Sequence, residues 1–361
     1  MSRRTTKLVK AALSALHYSR AGRLFAPLTS GQGVIFMLHH VRPEPPKGFE
    51  PNRILKITPE FLDAVIREVK RAGFDAVSLD EASTRLEEGR EARPFVCFTL
   101  DDGYRDNRDF AYPVFKRHGV PFTIYVPSNF PSGGGELWWL ALEEAIRVAG
   151  ELRLSIGGEV RHFRLTTERF KDQAFHTIYW LLRGLPEREA RASVSALAGQ
   201  AGIDVSKLCA NLVMSCDELR DLARDPLVTI GAHTRSHFAL AKLSASEARE
   251  EMAESVLRIE QELCRPCRHF SYPYGDAGSA GPREFRLAKE LGLRTAVTTE
   301  KGLLHREDAG SLTSLPRLSL NGDYQDLRFV QVMLSGAPFA LWNWARRLTR
   351  PRGMAPSLES A

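Results

Sequence analysis

Two short segments of the chain combine side chains that can bind a metal or carry protons. Residues 99–103 have the sequence TLDDG, and residues 233–237 have the sequence HTRSH. Each segment follows an apolar run typical of a buried strand, residues 95–98 in the first case and 227–230 in the second. Because α/β proteins build active sites in loops at the carboxyl ends of parallel strands, we expect both segments to contribute to one site.

The residue types in these segments favour a metal site. If the backbone is helical, His233 and His237 lie on one face, and both imidazoles can reach one ion. One carboxylate added to two imidazoles gives a three-ligand site with open positions for water and substrate. The adjacent Asp101 and Asp102 can then divide the work, one on the metal and the other as a base. The alternative is a turn or helix cap beside incidental surface histidines.

The elements that must position these residues alternate between strand-like and helix-like segments, which predicts a parallel α/β core. Residues 33–38 are typical of a first buried strand, and Thr58 and Pro59 are typical of a helix start. A glycine-rich turn and several amphipathic stretches interrupt this alternation. We therefore predict a helical insertion over about residues 128–225, placed beside the mouth of the core as a lid would be. The alternation alone also allows a doubly wound sheet.

With a third segment, these motifs resemble those of the polysaccharide deacetylase family, the NodB-homology carbohydrate esterases. The family motif T-F-D-D-G corresponds to residues 99–103, and H-S/T-x-x-H corresponds to residues 233–237. The third motif, R-x-P-Y-G, corresponds to residues 271–275, which read SYPYG. All three occur in the family's order over about residues 33–320. The resemblance implies an α/β fold, an incomplete or distorted (β/α) barrel.

The resemblance also implies roles for individual residues. Asp102, His233 and His237 would bind a divalent metal, with Zn²⁺ expected and Fe²⁺, Co²⁺ or Ni²⁺ suited to the same donors. Asp101 would be the general base that takes a proton from the attacking water, whose pKa the metal lowers. The backbone N–H of Tyr274 would donate to the oxyanion of the tetrahedral intermediate, although this tyrosine could equally serve as aromatic packing.

The motifs assign the proton donor for the leaving amine less directly. The family's late L-x-H motif is matched only in a polar loop, at residues 303–305. A branch that includes exopolysaccharide poly-N-acetylglucosamine deacetylases instead resembles the chain at residues 37–41, which read MLHHV. We therefore predict His39, at the end of the first strand, as the general acid, with His305 as the fallback. The alternative for His39 is a histidine bonded to a neighbouring loop, and His40 is expected to face elsewhere.

Four residues are candidates for binding or orienting the substrate: Tyr274, Arg317, Trp138 and Trp139. The third motif has Ser271 where relatives carry an arginine that orients the base, and we predict that Arg317 supplies this charge from a later strand. The two tryptophans have flat faces suited to stacking on a sugar ring. Packing inside the insertion is an equal alternative for both.

Basic residues are concentrated at the two ends. Seven Lys or Arg precede Glu44, the first acidic residue, and four more follow residue 345. Such ends suit anionic lipid, phosphate or nucleic acid, but no nucleic-acid recognition motif accompanies them, so we expect no nucleic-acid partner. An amphipathic helix is predicted before residue 20. Packing on its own protein is favoured over a membrane surface, whereas residues 339–348, with two tryptophans and two arginines, are the better candidate for peripheral membrane contact.

The length allows one barrel with embellishments or two small domains. We predict a basic amphipathic segment over residues 1–30, a barrel over 31–325, and a helical segment with a basic tail over 326–361. No run reaches the roughly eighteen apolar residues of a membrane span, and no secretory signal is apparent. Five cysteines suit a reducing compartment, and the pair at 264 and 267 is expected to be two ordinary thiols. A cytoplasmic protein is expected, peripheral at the inner face of the membrane if its ends touch lipid.

These patterns predict a metal-dependent N-deacetylase that hydrolyses the acetamide of an N-acetylated sugar in an oligosaccharide, polysaccharide or lipid-linked saccharide. Two alternatives stay open. One is an amidohydrolase acting on another C–N bond, such as a formamide on an amino sugar or a cyclic imide. The other is a carbohydrate-binding barrel that has lost turnover. The full set of two aspartates and two histidines argues against the second, because binding alone needs no unpaired carboxylate beside a metal.

Overall fold

The structure is a computed structural model that describes residues 3–20, 24, 29–44, 48–89 and 93–341. Most of the predicted interfacial segment at residues 339–348, and the basic residues near the C-terminus, lie outside the described residues. The chain divides into two compact units, one of residues 32–325 and one of the residues on either side. Among the described residues, no helix is both long and apolar enough to cross a bilayer.

The larger unit is built on a parallel sheet. The described strands are β1 (Gly33–Leu38), β2 (His40–Val41), β3 (Lys56–Ile57), β4 (Asp75–Ala76), β5 (Phe95–Leu100), β6 (Phe122–Val126), β7 (Glu151–Ile156), β8 (Glu159–Arg164), β9 (Val228–Ala232), β10 (His269–Ser271), β11 (Thr295–Val297) and β12 (Leu318–Ser319). Eight of them form one all-parallel sheet in the order β11-β10-β9-β6-β5-β1-β12, with β4 beside the start of β5. Strands β2 and β3 form a separate parallel pair, and β7 and β8 an antiparallel one.

One short segment brings the two edges of the large sheet together. Leu315 forms a parallel bridge with Val297 at the β11 edge, and its N–H donates to the carbonyl of Ala296. Three residues later, Leu318 pairs with Phe36 of β1 at the other edge. The sheet therefore curls into the distorted (β/α) barrel that the resemblance implies, and the doubly wound alternative is wrong.

The barrel strands are buried on both faces, which is why they appear in the sequence as continuous apolar runs. Every residue of β5 and every residue of β6 is buried. Packing inside the barrel is tight enough to require a glycine in β9, because a Cβ on Gly231 would lie 2.6 Å from the ring of Tyr125. The strand ends that carry the site are thus fixed by a densely packed interior.

Helices connect the strands of the barrel. Their bounds are Pro59–Arg71, Leu79–Glu88, Tyr112–His118, Ala245–Leu263 and Pro282–Glu290, with 3₁₀ turns at Pro51–Leu55, Leu240–Lys242 and Arg306–Ser314 and a π-helical turn at Asn107–Ala111. The first of these helices starts as predicted, with Pro59 at its first turn and the Thr58 side chain accepting a hydrogen bond from the N–H of Phe61. The sequence signals for its N-terminus are therefore local and reliable.

The segment between β6 and β9 forms the insertion, which differs from the prediction because it is not wholly helical. Its helices are Trp138–Val148, Glu168–Gly184, Glu187–Gln200, Val205–Leu212 and Cys216–Leu222. Between the first two helices lies the hairpin β7–β8, in which buried Leu152 and Leu154 alternate with exposed residues. Gly157 and Gly158, both at positive φ, form its turn. This Gly-Gly pair is the two-residue hairpin signal that the prediction of helices passed over.

The smaller unit, as far as it is described, contains the helices Arg3–Tyr18 and Leu327–Leu334, which pack together. Arg328 donates a hydrogen bond of 2.6 Å to the hydroxyl of Tyr18. Leu13 is buried, whereas Leu8 is 71% exposed. Packing within the protein thus accounts for one face of the N-terminal helix, and contact of this helix with a membrane stays a prediction.

Candidate active site

Asp102, His233 and His237 converge just beyond the carboxyl ends of β5 and β9. One ligand atom from each side chain lies within 4.8 Å of the other two, and all three residues are buried. Oδ1 of Asp102 lies 3.5 Å from Nε2 of His233 and 3.3 Å from Nε2 of His237. The three predicted metal ligands therefore form one cluster.

The donor chemistry of this cluster fits a divalent cation. Nδ1 of His233 donates to the carbonyl of Ser271 at 2.6 Å, which leaves the lone pair of Nε2 free on the side of Asp102. Oδ1 of Asp102 is buried, and no described residue donates a hydrogen bond to it. A buried carboxylate oxygen without a donor is costly, and a bound cation would remove that cost. Two imidazoles and one carboxylate are the ligand set that Zn²⁺ and neighbouring divalent metals accept.

The two histidines meet through an irregular turn, not on a helical face as the sequence reasoning assumed. Thr234 and His237 have positive φ angles of 62° and 57°, and Oγ1 of Thr234 accepts a 2.9 Å hydrogen bond from the N–H of His237. Asp102 and Tyr274 also have positive φ. Four of the six described non-glycine residues with this conformation thus lie in the site, a clustering typical of functional sites.

Glu251, on helix Ala245–Leu263, holds the histidine loop and was missed by the sequence reasoning. Its carboxylate accepts hydrogen bonds from the N–H and hydroxyl of Ser236 at 2.8 and 3.0 Å, and from Arg235 at 3.2 Å. Glu251 is only 2% exposed. No local pattern marks this residue, because it lies in an ordinary amphipathic helix and reaches the loop only through the fold.

Asp101, the predicted base, is not one of the three clustered ligand candidates and is bound by Arg317. Nη1 of Arg317 donates to Oδ1 of Asp101 at 2.8 Å, and Nη2 donates to Oδ2 at 2.7 Å. The remaining donors of the guanidinium reach Ser271 Oγ, Thr298 O and Thr99 Oγ1. Arg317 therefore lies where the motif arginine would act. Arg317 is only 1% exposed, and a direct contact of its side chain with the substrate stays a prediction.

Arg317 also decides the charge of Asp101. Burial raises the pKa of Asp101, but the charge and hydrogen bonds of Arg317 outweigh this effect, so the pKa lies below its ordinary value. The pKa of Asp102 is lowered as well, since its histidine contacts outweigh its burial. The site thus holds two ionised carboxylates, one beside the two imidazoles and one beside a guanidinium.

His39 follows β1 and shares the electrostatic environment of both aspartates. Burial lowers the pKa of His39 and outweighs the charges of Asp102 and Asp101, which raise it. The carbonyl of His39 accepts a 2.7 Å hydrogen bond from Nδ2 of Asn107, which fixes the backbone at this point. His40 faces elsewhere, as expected, with its Nδ1 2.7 Å from the carboxylate of Asp106.

His305, the fallback acid, lies far from this cluster. The residue before it, Leu304, forms a backbone bridge with Gly33 at the start of β1, whereas His39 follows the end of that strand. A six-residue strand is about 20 Å long, and His305 is exposed. His305 therefore lies at the opposite end of the barrel from the metal-ligand candidates.

Trp138 and Trp139 lie in the core of the insertion and contact residues of the candidate site. They are 3% and 5% exposed, so neither presents an open face to a sugar. The ring of Trp139 lies 4.8 Å from that of His237, and Nε1 of Trp138 donates to the hydroxyl of Tyr274 at 2.7 Å. The packing alternative describes both tryptophans, which support His237 and Tyr274.

Tyr274 lies beside the cluster, with its ring 5.0 Å from that of His237. Its positive φ turns the backbone sharply between Pro273 and Gly275, and a Cβ on Gly275 would lie 2.6 Å from the backbone nitrogen of Thr299. Among the described residues, none accepts a hydrogen bond from the N–H of Tyr274. This N–H thus has no acceptor within the described part of the chain.

The two cysteines at 264 and 267 form no disulfide with each other. Cys264 and Cys267 are both free, the first exposed and the second buried. Burial raises the pKa of Cys267 to about 12, so its thiol is protonated at neutral pH. That the pair consists of two ordinary thiols stays a prediction.

Comparison with known proteins shows what the segment carrying this geometry is similar to. The family model for polysaccharide deacetylase matches residues 182–296, a segment that includes both histidines and the third motif. The protein YxkH of Bacillus subtilis (strain 168), which is named as a polysaccharide deacetylase, is 22% identical over 255 residues, or 70% of this chain. The chain spans 62% of the length of YxkH.

Two solved structures share the fold. The Streptococcus pyogenes deacetylase PplD, solved in complex with acetate, has a TM-score of 0.56 at 17% identity and covers 83% of this chain and 97% of its own. A de-N-acetylase from Aggregatibacter actinomycetemcomitans has a TM-score of 0.51 at 15% identity and covers 83% of this chain and 99% of its own. The segment that carries both histidines and the third motif is therefore similar to polysaccharide deacetylases, and the barrel shares its fold with these two solved structures.

Proposed function

We propose that the protein is a metal-dependent N-deacetylase that removes the acetyl group from an N-acetylated sugar in an oligosaccharide, polysaccharide or lipid-linked saccharide. The observation that carries the proposal is the division of labour between two adjacent carboxylates. Asp102 faces two imidazoles, whereas Asp101 is bound by Arg317 and left out of the ligand set. A binding module has no use for this second carboxylate, but a hydrolase needs it as a base. Similarity to polysaccharide deacetylases and the names of the relatives supply the sugar and the acetamide.

Asp102, His233 and His237 would hold the metal, with Zn²⁺ as the expected ion. A bound divalent cation supplies Lewis acidity to the attacking water and to the amide carbonyl. The residues around the cluster set its shape before any ion arrives. Ser271 fixes the tautomer of His233 through its carbonyl, and Glu251 fixes the loop that carries His237.

Asp101 accepts a proton from water as the water oxygen forms a bond to the acyl carbon. Its lowered pKa keeps it ionised at neutral pH. Oδ1 retains a lone pair beyond the one used by Arg317, whereas Oδ2 also accepts a hydrogen bond from the hydroxyl of Ser271. Arg317 also fixes the direction of the carboxylate, since both of its oxygens are held. The base is therefore charged and oriented before the substrate binds.

The acyl oxygen becomes negatively charged as the tetrahedral intermediate forms, and the N–H of Tyr274 is the proposed donor to it. The C–N bond then breaks, and the amine leaves with a proton. We assign that proton to His39, which follows the strand next to β5 and shares the charges of Asp101 and Asp102. The products are acetate and the free amino sugar.

The test is acetate release from N-acetylglucosamine oligomers and from lipid-linked N-acetyl sugars. Zinc-loaded protein is compared with metal-stripped protein and with the Asp101→Asn variant. Release by the loaded wild type that falls by at least about 10³-fold in both controls is expected, since base and metal each contribute orders of magnitude. Release that is unchanged in either control contradicts the mechanism. Release from no saccharide tested contradicts the substrate class.

A further inference from the structure

We propose that Trp180 and Arg183, on the insertion helix Glu168–Gly184, form a subsite that binds a second sugar residue beside the candidate active site. The inference rests on the proposed function and deepens it, because it makes an oligosaccharide, and not a single sugar, the preferred substrate. It comes from two side chains that the catalytic chemistry leaves unused.

Arg183 lies next to the proposed reaction centre. Its guanidinium carbon is 3.6 Å from the centroid of the Tyr274 ring, and that ring is 5.0 Å from His237, a metal-ligand candidate. Nη2 of Arg183 donates to the hydroxyl of Ser279 at 3.0 Å. Nη1 is buried, and no described residue accepts a hydrogen bond from it. A buried donor without an acceptor is costly, and the hydroxyl groups of a sugar would satisfy it.

Trp180 offers the apolar face that a pyranose ring needs. Of the three tryptophans in the described part of the chain, two are buried and Trp180 is 64% exposed. It precedes Arg183 by three positions on the helix, so the two side chains lie on the same side. Its ring contacts that of Tyr179 edge-on at 5.3 Å, and Tyr179 stacks on Trp138 at 5.1 Å. The exposed ring of Trp180 therefore packs, through Tyr179, on the core of the insertion.

Together the two residues combine an exposed aromatic plane with an unused hydrogen-bond donor, which is the pairing that sugar recognition uses: the plane covers C–H groups and the donor binds hydroxyls. Both residues belong to the insertion, whereas the proposed base, acid and metal ligands belong to the barrel. A substrate whose reacting acetamide reaches Tyr274 would place its neighbouring sugar toward Arg183 and Trp180. A monosaccharide would not extend that far.

The test compares the N-acetylglucosamine tetramer with the monomer in zinc-loaded wild type, Trp180→Ala and Arg183→Lys. The value of kcat/KM for the tetramer should fall about tenfold in Trp180→Ala, mainly through KM, and that for the monomer should not change. Arg183→Lys retains the charge but loses the fork of donors, so a loss in the same direction is expected. Phe170→Ala is the matched control, since Phe170 is 44% exposed on the same helix and about 15 Å away along its axis.

Calorimetric titration of the tetramer into the zinc-loaded Asp101→Asn variant, with and without Trp180→Ala, gives a readout that needs no turnover. Equal affinity in both proteins, or no binding in either, overturns the subsite. If the wild type releases acetate from both saccharides and Trp180→Ala has the same kcat/KM for each, the subsite is overturned and the proposed function is left intact. A wild type that binds the tetramer through Trp180 but releases no acetate overturns the proposed function and supports the subsite.

Discussion

Both carboxylate oxygens of Asp101 accept hydrogen bonds from Arg317, a residue 216 positions later in the chain. The pair is almost entirely buried and is completed by Ser271, which stands where the family motif has its own arginine. The orienting charge is therefore delivered by the residue immediately before β12 and not by the last residue of β10, which is Ser271. A buried carboxylate that loses such a partner is left unpaired, which is far more costly than losing a surface ion pair.

Replacing Arg317 by Lys should lower kcat/KM by roughly 10²-fold, because a single ammonium group cannot hold both oxygens in direction. The substitution should also move the acid limb of the pH profile. Asp101 must be ionised to act as a base, so activity rises with pH through its pKa. Arg317 lowers that pKa, and weakening the contact raises it, so the acid limb shifts to higher pH. The measurement is kcat/KM against pH, with Arg249→Lys, an exposed arginine, as control. An acid limb that stays in place shows that Arg317 does not set the charge of Asp101.

His233→Ala and His237→Ala should each abolish the stoichiometric binding of zinc. Two remaining donors do not make the three-ligand set of a catalytic site. Metal content after dialysis gives the direct measurement. Adding zinc to stripped wild type should also raise its melting temperature, because zinc at one hundred times its Kd adds about 2.7 kcal/mol to the free energy of unfolding. His305→Ala is the control, because His305 is exposed at the other end of the barrel. Retention of one zinc per chain by either site variant would rule out this cluster as the metal site.

Glu251→Gln should weaken zinc binding by roughly 10- to 100-fold, the usual effect of losing a residue that orients a ligand. A carboxylate has two charged acceptor oxygens, whereas the amide of Gln has one neutral acceptor. It therefore cannot accept the hydrogen bonds of both Arg235 and Ser236, and the turn between the two histidines loses its anchor. Competition titration with a chromophoric chelator measures the affinity. Glu250→Gln is the matched control, since Glu250 also contacts Arg235 but is largely exposed. Equal losses in the two variants would mean that the effect is one of charge alone.

The parts of the site that the sequence could predict are those written in contiguous residues. Strand β5 ends at Leu100, immediately before the two aspartates, because the apolar run stops there. The cluster of Asp102 with His233 and His237 follows from the rule that the parallel strands of one sheet all end at the same edge, since β5 and β9 both flank β6. The role of Arg317 could be predicted only because the third motif has Ser271 where relatives carry an arginine. That prediction comes from the missing charge and not from the residues next to Arg317.

The parts that failed depend on tertiary structure. The turn that joins His233 to His237 uses two left-handed residues, and neither is a glycine whose presence would signal it. Trp138 and Trp139 are of the residue type that stacks on sugar rings, but the hairpin and helices of the insertion cover them. Trp180, which is exposed, has no sequence feature that distinguishes it from them. Burial, more than residue type, separates these cases, and burial is set by the whole fold.

The general acid can be tested through its anchor as well as directly. His39→Gln should remove the alkaline limb of the pH profile, because a general acid must be protonated and activity falls as pH rises through its pKa. Burial lowers the pKa of His39, so that limb should lie at a lower pH than the pKa of an ordinary histidine.

Asn107→Ala keeps the imidazole but removes the hydrogen bond to the carbonyl of His39, so it should lower kcat by about tenfold with KM and zinc content unchanged. Asn211→Ala, at an exposed position, controls for loss of an asparagine as such. A His39→Gln variant that retains the alkaline limb would assign the leaving-group proton to another residue, whereas a fall in zinc content in Asn107→Ala would show that this anchor supports the fold of the site and not the acid.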